Sequence, residues 1–237
     1  MGIFVFRGIM LKIKSDYTFL NNSFVFSKLF FFHQIISKKK FEYTAKSTTF
    51  FSTLAESNVT DANLILDFCY LNIDIRKIKE VAISENIQAI RLLGIDIRDE
   101  ELSFLKNKNK LCYLNLSATP LTGKFLSFLP SFHSLRTLEL GFTQLNDRNA
   151  KYLNQFSELT KLIIQQTNIS DKAIASLKSL EKLKELDLSY TLITNQALRE
   201  VSGFKHLEIL KLKNCKNLTK KQIDHLSLQL PALQIRT

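Results

Sequence analysis

The apolar residues of this chain recur with a fixed period from residue 87 to the C-terminus. Units of 24 residues begin at Ile87, Leu111, Leu135, Leu159 and Leu183, and a slightly longer unit begins at Leu207. Within each unit apolar side chains occupy repeat positions 1, 4, 6 and 11, as in Leu183, Leu186, Leu188 and Ile193. A unit this short cannot close a hydrophobic core alone, so the period predicts a stacked array in which each unit supports the next.

The polar positions predict a strand, a turn and a helical return in every unit. Position 9 carries Thr119, Thr143, Thr167, Thr191 and Cys215, whose side chains are suited to bond inward-pointing backbone groups of a turn. Ile95 lacks such a group, which predicts an irregular first unit. Helix starts are predicted at Thr122, Asn146, Ser170, Thr194 and Thr219, because these residues favour N-caps. Asp147 and Asp171 follow in the first turn, where a carboxylate is favourable.

This spacing resembles the leucine-rich repeat superfamily. Residues 207–232 are similar to the cysteine-containing type found beside F-box motifs, and the 24-residue units resemble shorter relatives common in bacterial proteins that act inside host cells. The resemblance implies an α/β fold, a right-handed leucine-rich-repeat solenoid with a parallel strand ladder on its concave face and helices on its convex face. It also implies a non-enzymatic protein-binding scaffold, an expectation that rests on architecture.

The pattern divides the chain into an extension, residues 1–60, and an array, residues 61–237. The array begins with a degenerate repeat over 63–86, in which Leu66, Phe68, Leu71 and Ile73 fall on positions 4, 6, 9 and 11. Six repeats follow, over residues 87–110, 111–134, 135–158, 159–182, 183–206 and 207–232. A final strand is expected after Pro231.

The extension is rich in phenylalanine and in positive charge. Eleven of the 19 phenylalanines fall by residue 51, and eight basic residues stand against three acidic ones. An apolar N-terminal helix that caps the first repeat is the favoured interpretation, since an uncapped repeat exposes its core. Residues 36–54 also resemble the latter half of an F-box, which implies a substrate-recognition subunit of a ubiquitin ligase. A peripheral membrane segment and a misassigned start stay open as alternatives.

Composition and scattered reactive residues argue against an enzyme. The chain has 237 residues, 45% of them hydrophobic, and a net charge of +11. Cys69, Cys112 and Cys215 form no paired motif, which favours a reducing compartment: the cytoplasm, or a host cell if the protein is a delivered effector. The histidines lie apart, and no Gly-rich phosphate loop, HExxH or GxSxG is present. We therefore expect no cofactor, no metal and a monomer.

Function in such an array is expected on the strand face. Phe142, Ile163 and Tyr190 are predicted to be exposed near one another and ringed by charge, a composition typical of protein contact sites. Mixed charge on this face argues against a nucleic-acid groove, because binding a phosphate backbone requires a surface of positive charge. The predicted partner-binding residues are Tyr113, Glu139, Phe142, Lys161, Ile163, Gln166, Glu185, Asp187, Tyr190 and Lys211.

Overall fold

The computed structural model of the chain describes residues 2–6, 9–14, 63–69, 74–82 and 84–237. Ten strands within these residues form one sheet in chain order. The last eight strands run parallel, and the first two are antiparallel to their neighbours. The strands are β1 Gly2–Phe6, β2 Ile9–Lys14, β3 Asn63–Asp67, β4 Ile87–Arg91, β5 Tyr113–Asn115, β6 Thr137–Glu139, β7 Lys161–Ile163, β8 Glu185–Asp187, β9 Ile209–Lys211 and β10 Gln234–Arg236.

The strands pair at the register that the repeat period predicts. Each position-4 residue lies opposite its counterpart in the next repeat, at the spacing of about 4.8 Å between neighbouring strands. This row consists of Ile90, Leu114, Leu138, Leu162, Leu186, Leu210 and Ile235. All but the last of these side chains are buried, so the row forms a continuous apolar column inside the array.

Each strand from β3 to β9 is followed by a helical return, as expected, although several returns are wholly or partly 3₁₀. The α-helices are α1 Ile75–Val81, α2 Asp147–Ala150, α3 Asp171–Ser176, α4 Asn195–Val201 and α5 Lys220–Gln229. Segments of 3₁₀ helix cover Asp99–Asn107, Lys124–Phe128, Lys151–Gln155 and Leu177–Ser179. The predicted N-caps are confirmed for α2 to α5, where the side chains of Asn146, Ser170, Thr194 and Thr219 accept backbone N–H groups.

The position-9 side chains bond the backbone, as predicted. The Thr167 hydroxyl donates to the Ile164 carbonyl oxygen at 2.7 Å, and Thr119, Thr143 and Thr191 repeat the contact within their own units. The first unit was expected to be irregular because Ile95 has no hydroxyl. In its turn the backbone N–H of Ile95 donates to the Leu92 carbonyl at 3.2 Å, and the pairing of its strand β4 with β3 shifts register between Leu64 and Ile65.

The two ends of the array extend the sheet. The degenerate repeat predicted over 63–86 contains the strand β3, which pairs parallel with β4, and Leu66 and Phe68 are buried there. Leu71 and Ile73 lie outside the described residues. The final strand is confirmed as β10, which pairs with β9.

The extension was predicted to be helical, and for two segments that prediction is wrong. Residues 2–6 and 9–14 form the antiparallel strands β1 and β2, and β2 pairs with the edge of β3. Isoleucine, valine and phenylalanine, which favour strands, predominate in β1, and β3 offers an edge to pair with. Residues 15–62, including the F-box-like segment and the apolar stretch near residue 30, lie outside the described residues. No helix that the structure describes is long and apolar enough to span a membrane.

Candidate functional site

The strand face consists of repeat positions 3 and 5, which flank the buried leucine of position 4 and point away from the core. In-register pairing sets each of these residues beside its counterpart in the next repeat. The position-3 row reads Ala89, Tyr113, Thr137, Lys161, Glu185 and Ile209, and the position-5 row reads Arg91, Asn115, Glu139, Ile163, Asp187 and Lys211.

Tyr113, Asn115 and Glu139 form a hydrogen-bonded cluster at the N-terminal half of this face. The Tyr113 hydroxyl donates to one carboxylate oxygen of Glu139 at 3.0 Å, and the Asn115 amide donates to the other at 2.8 Å. Burial raises the pKa of the Tyr113 phenol, so the hydroxyl stays a donor at neutral pH. The Glu139 carboxylate is therefore held in place with both oxygens engaged.

A second cluster joins three repeats in the C-terminal half. Glu185 pairs with Lys161 at 2.9 Å on one side and with Lys211 at 2.7 Å on the other. Burial alone disfavours the charged form of Glu185, but hydrogen bonds from Lys211 and Lys161 outweigh it and lower the pKa of the carboxyl. The charges of this half thus largely neutralise one another.

Asp187 contributes to folding more than to the surface. Its side chain is buried, and one carboxylate oxygen accepts the backbone N–H of Ser189 at 3.0 Å. Asn115 makes the same contact with Ser117 at 2.9 Å. These position-5 side chains fix the chain as it leaves the strand and enters the turn.

Ile163 was predicted to be exposed, and that prediction is wrong. Only 7% of its surface is accessible. Ile163 lies in the middle of the sheet, paired between Glu139 and Asp187, and neighbours about 4.8 Å away on both sides cover a branched side chain of this size. An apolar residue therefore separates the two polar clusters without offering a contact surface.

Position 8 lies in the turn that follows the strand in each of the six repeats. The backbone there is left-handed in all six repeats, with Gly94 at φ 71°, and with Phe142 at 57° and Tyr190 at 60°. The other three members of this row are Ala118, Gln166 and Asn214. Glycine and asparagine suit this conformation, whereas bulky side chains rarely adopt it. Only at Gly94 and Asn214 does the residue type itself indicate a left-handed backbone.

Both aromatic members of this row are exposed, as are Ala118, Gln166 and Asn214. Phe142 is 53% accessible and Tyr190 is 38% accessible. They lie two repeats apart, a distance of about 10 Å between their backbones at ordinary strand spacing. Gln166, also exposed, stands between them.

Leu192 belongs to the same surface and was missed by the sequence reasoning. It occupies position 10, two residues after Tyr190, and is 58% accessible. Alternation about the buried Thr191 turns both neighbours outward, a signal that the repeat pattern does contain. We call the surface formed by Phe142, Gln166, Tyr190 and Leu192 the turn edge. The only other large apolar side chain exposed within the described part of the chain is Leu228, on α5.

The three cysteines are buried or half-buried free thiols. Burial raises the pKa of the Cys69 thiol to about 11 and also raises the pKa of Cys112 and Cys215. Cys215 is buried at position 9, as expected, and its thiol donates to the Leu188 carbonyl at 3.1 Å. His133 and His206 are exposed in loops between repeats. Within the described ranges, no group of three His, Cys, Asp or Glu residues is placed to hold a metal ion.

Comparison with known proteins agrees with this architecture. Residues 157–216 match the family model described as leucine rich repeat. Among solved structures, the chain is similar to an internalin C2 from Listeria monocytogenes strain 4b F2365, with a TM-score of 0.58 and 23% sequence identity over 79% of this chain and 80% of that one. No curated protein matches the chain. The similarity establishes a leucine-rich repeat fold, and the cysteine-containing subtype stays a prediction.

Proposed function

We propose that this leucine-rich repeat solenoid is a non-enzymatic protein-binding scaffold whose partner docks on the turn edge and the adjoining strand face. The observation that carries the proposal is the pair of exposed aromatic residues held in left-handed backbone at position 8. A left-handed conformation costs an L-residue roughly 1–2 kcal/mol, so Phe142 and Tyr190 are poor choices for folding at these positions. A role in partner contact accounts for the two aromatic residues, because residues with unfavourable backbone conformations cluster at functional sites.

Side-chain chemistry supports a protein as the partner. Phe142, Tyr190 and Leu192 offer accessible apolar surface, and aromatic residues dominate the binding energy of protein interfaces. The strand face beside them alternates in sign, with Lys161, Glu185 and Lys211 already paired. Such a face suits a folded protein with complementary polar groups and is poorly suited to a phosphate backbone.

The paired charges also keep the surface rigid. Glu139 is held through both carboxylate oxygens, and Glu185 is held by lysines from two different repeats. Side chains that are fixed before binding lose less conformational entropy when a partner arrives. The strand face therefore presents a preformed rim, and the turn edge supplies the apolar contacts.

Replacement of the two aromatics by asparagine tests the proposal. The double variant Phe142→Asn and Tyr190→Asn keeps a residue suited to left-handed backbone, as Asn214 is in the last repeat, while removing both aromatic rings. Loss of a hot-spot residue costs about 2 kcal/mol, so we expect capture of the specific partner to weaken by roughly thirtyfold or more. The measurement is affinity capture from cell lysate, quantified by mass spectrometry and then by titration of the purified partner.

Gln166→Asn is the matched control. It changes the intervening position-8 residue, which is also exposed and left-handed, without removing an aromatic side chain. We expect its capture to equal that of the native chain. Equal capture by the folded double variant would contradict the proposal and point to another surface.

A further inference from the structure

The C-terminal end of the turn edge carries a concentration of unpaired positive charge. Lys213, Lys216, Lys220 and Lys221 are all exposed, and no carboxylate among the described residues lies within ion-pair distance of any of them. The two lysines on the strand face differ, because Lys161 and Lys211 are both paired with Glu185 and Lys211 also lies 3.8 Å from Asp187. The charge at this end is therefore available to a binding partner.

Hydrogen bonds between neighbouring repeats place two of these lysines beside the exposed apolar residues. The Tyr190 N–H donates to the Lys213 carbonyl at 2.8 Å, which sets Lys213 next to Tyr190 in the following repeat. Asn217, the residue after Lys216, donates its side-chain amide to the Leu192 carbonyl at 3.5 Å. One apolar surface, Tyr190 with Leu192, is thus flanked by two lysines.

The first turn of α5 adds positive charge where the earlier helices carry negative charge. Helices α2 and α3 begin with Asp147 and Asp171, whereas α5 begins with Lys220 and Lys221. Cations are unfavourable near a helix N-terminus because the helix dipole is positive there. The positive potential of this end is consequently not offset by an acidic residue in the first turn of α5.

From this juxtaposition we infer that the partner of the turn edge is a protein segment in which an apolar side chain is flanked by carboxylates. The inference rests on the proposed function and specifies the chemistry of the partner. The apolar side chain packs on Tyr190 and Leu192, and the flanking carboxylates pair with Lys213 and Lys216. Lys220 and Lys221 strengthen the attraction at longer range.

Net charge argues against two other occupants of this surface, namely a second copy of the chain and the chain's own extension. A second copy of the chain carries a net charge of +11, and the extension, residues 1–60, has eight basic residues against three acidic ones. Both are repelled by the lysines. A nucleic acid is disfavoured because the carboxylates of Glu185 and Asp187 lie on the same repeat as Tyr190 and repel a phosphate backbone.

Selection from a displayed library of random peptides, about twelve residues long, tests the inference on the full chain. We expect the selected peptides to be enriched in aspartate and glutamate around an apolar residue. The double variant Lys213→Glu and Lys216→Glu should bind a labelled selected peptide roughly tenfold more weakly. Raising the salt from about 0.05 to about 0.5 M should weaken binding to the native chain, since exposed charges are screened.

The control variant Lys172→Glu and Lys205→Glu makes the same change of charge at exposed lysines away from the turn edge. It should retain most of the affinity of the native chain. Peptides that show no acidic enrichment, and whose binding ignores the Lys213 and Lys216 reversal, would overturn the inference. If those peptides still need Phe142 and Tyr190, the proposed function survives that result.

Two further probes test whether the lysines bind a membrane surface or a nucleic acid instead of a protein. Vesicles of phosphatidylserine and phosphatidylcholine, and a labelled oligouridylate, are offered to the same variants. Binding of either probe that needs Lys213 and Lys216, with no peptide selected, would overturn the inference and the proposed function together. Selection of no peptide and binding of neither probe would overturn the inference alone.

Discussion

At the scale of single residues, the decisive feature is the mismatch between backbone and side chain at position 8. The turn needs a left-handed residue in every repeat, and only Gly94 and Asn214 suit that need. Phe142 and Tyr190 accept the conformation while leaving much of their surface accessible. Their effect on folding and their effect on binding are therefore expected to have opposite signs.

Equilibrium unfolding in urea measures how the position-8 aromatic residues affect the free energy of unfolding. Phe142→Asn and Tyr190→Asn relieve backbone strain, so we expect neither variant to lower the free energy of unfolding, and a gain of up to about 1 kcal/mol is expected. Gln166→Asn should show the same direction. A loss of 2 kcal/mol or more, on the order of a buried-residue truncation, would show that the aromatics are part of the core instead.

At the scale of elements, neighbouring repeats are joined by carboxylates at their helix starts. Asp171 accepts both the backbone N–H and the hydroxyl of Thr194, at 2.7 and 2.6 Å, and Asp147 does the same for Ser170. Asp99 makes the equivalent contacts with Thr122. Each carboxylate begins one helical return and bonds a residue at or just before the N-cap of the next, so it stabilises the interface between repeats.

Removing one such carboxylate should therefore loosen the stack. Asp171→Ala leaves the Thr194 N–H and hydroxyl without their partner, and hydrogen bonds to a charged group are worth about 1.5–3 kcal/mol. We expect a loss of that order in the free energy of unfolding, measured in urea. Asp171→Asn should lose less, because Asn195 serves Thr219 in the same way with an amide oxygen. A loss below about 0.5 kcal/mol for the alanine variant, typical of an ordinary surface substitution, would contradict this role.

At the scale of the whole molecule, one apolar column runs through the array from Leu66 to Leu233. Every repeat adds a strand to one sheet, a leucine to one column and a helical return to one side. Stability in such a stack depends on contacts between nearest neighbours. A cavity in a central repeat consequently weakens two interfaces at once.

Leu162→Ala tests the column directly. Leu162 is fully buried and paired between Leu138 and Leu186, so the cavity should cost about 2–5 kcal/mol of unfolding free energy. Leu192→Ala removes the same side chain from an exposed position and should change stability by about 0.5 kcal/mol or less. Equal effects of the two substitutions would mean that the register of the repeats is wrong.

The sequence predicts the apolar column well because a leucine recurs at the same position in repeat after repeat. Leu138, Leu162 and Leu186 recur at one position, and their burial follows from that recurrence. The left-handed backbone at position 8 could not be predicted for every repeat, since Phe142 and Tyr190 stand where glycine or asparagine would indicate it. The bonds from Asp171 to Thr194 are hidden too, because they join residues of different repeats.

Two sequence predictions failed for a related reason. The exposure of Ile163 depends on the size of its neighbours across the sheet, which a repeat position does not specify. The strands β1 and β2 contain no repeat, so only local composition was available for residues 2–14, and the edge of β3 with which β2 pairs is visible only in three dimensions.

Hydrogen–deuterium exchange of the chain with and without its captured partner is the measurement that bears most directly on the proposed binding surface. We expect the partner to slow exchange at residues 139–144, 163–168 and 187–192, which span the strand ends and the turn edge. The helical returns over 147–155, 171–179 and 195–201 should exchange as they do in the free chain. Protection confined to those returns, or to residues 1–62, would contradict the account and assign binding to another part of the molecule.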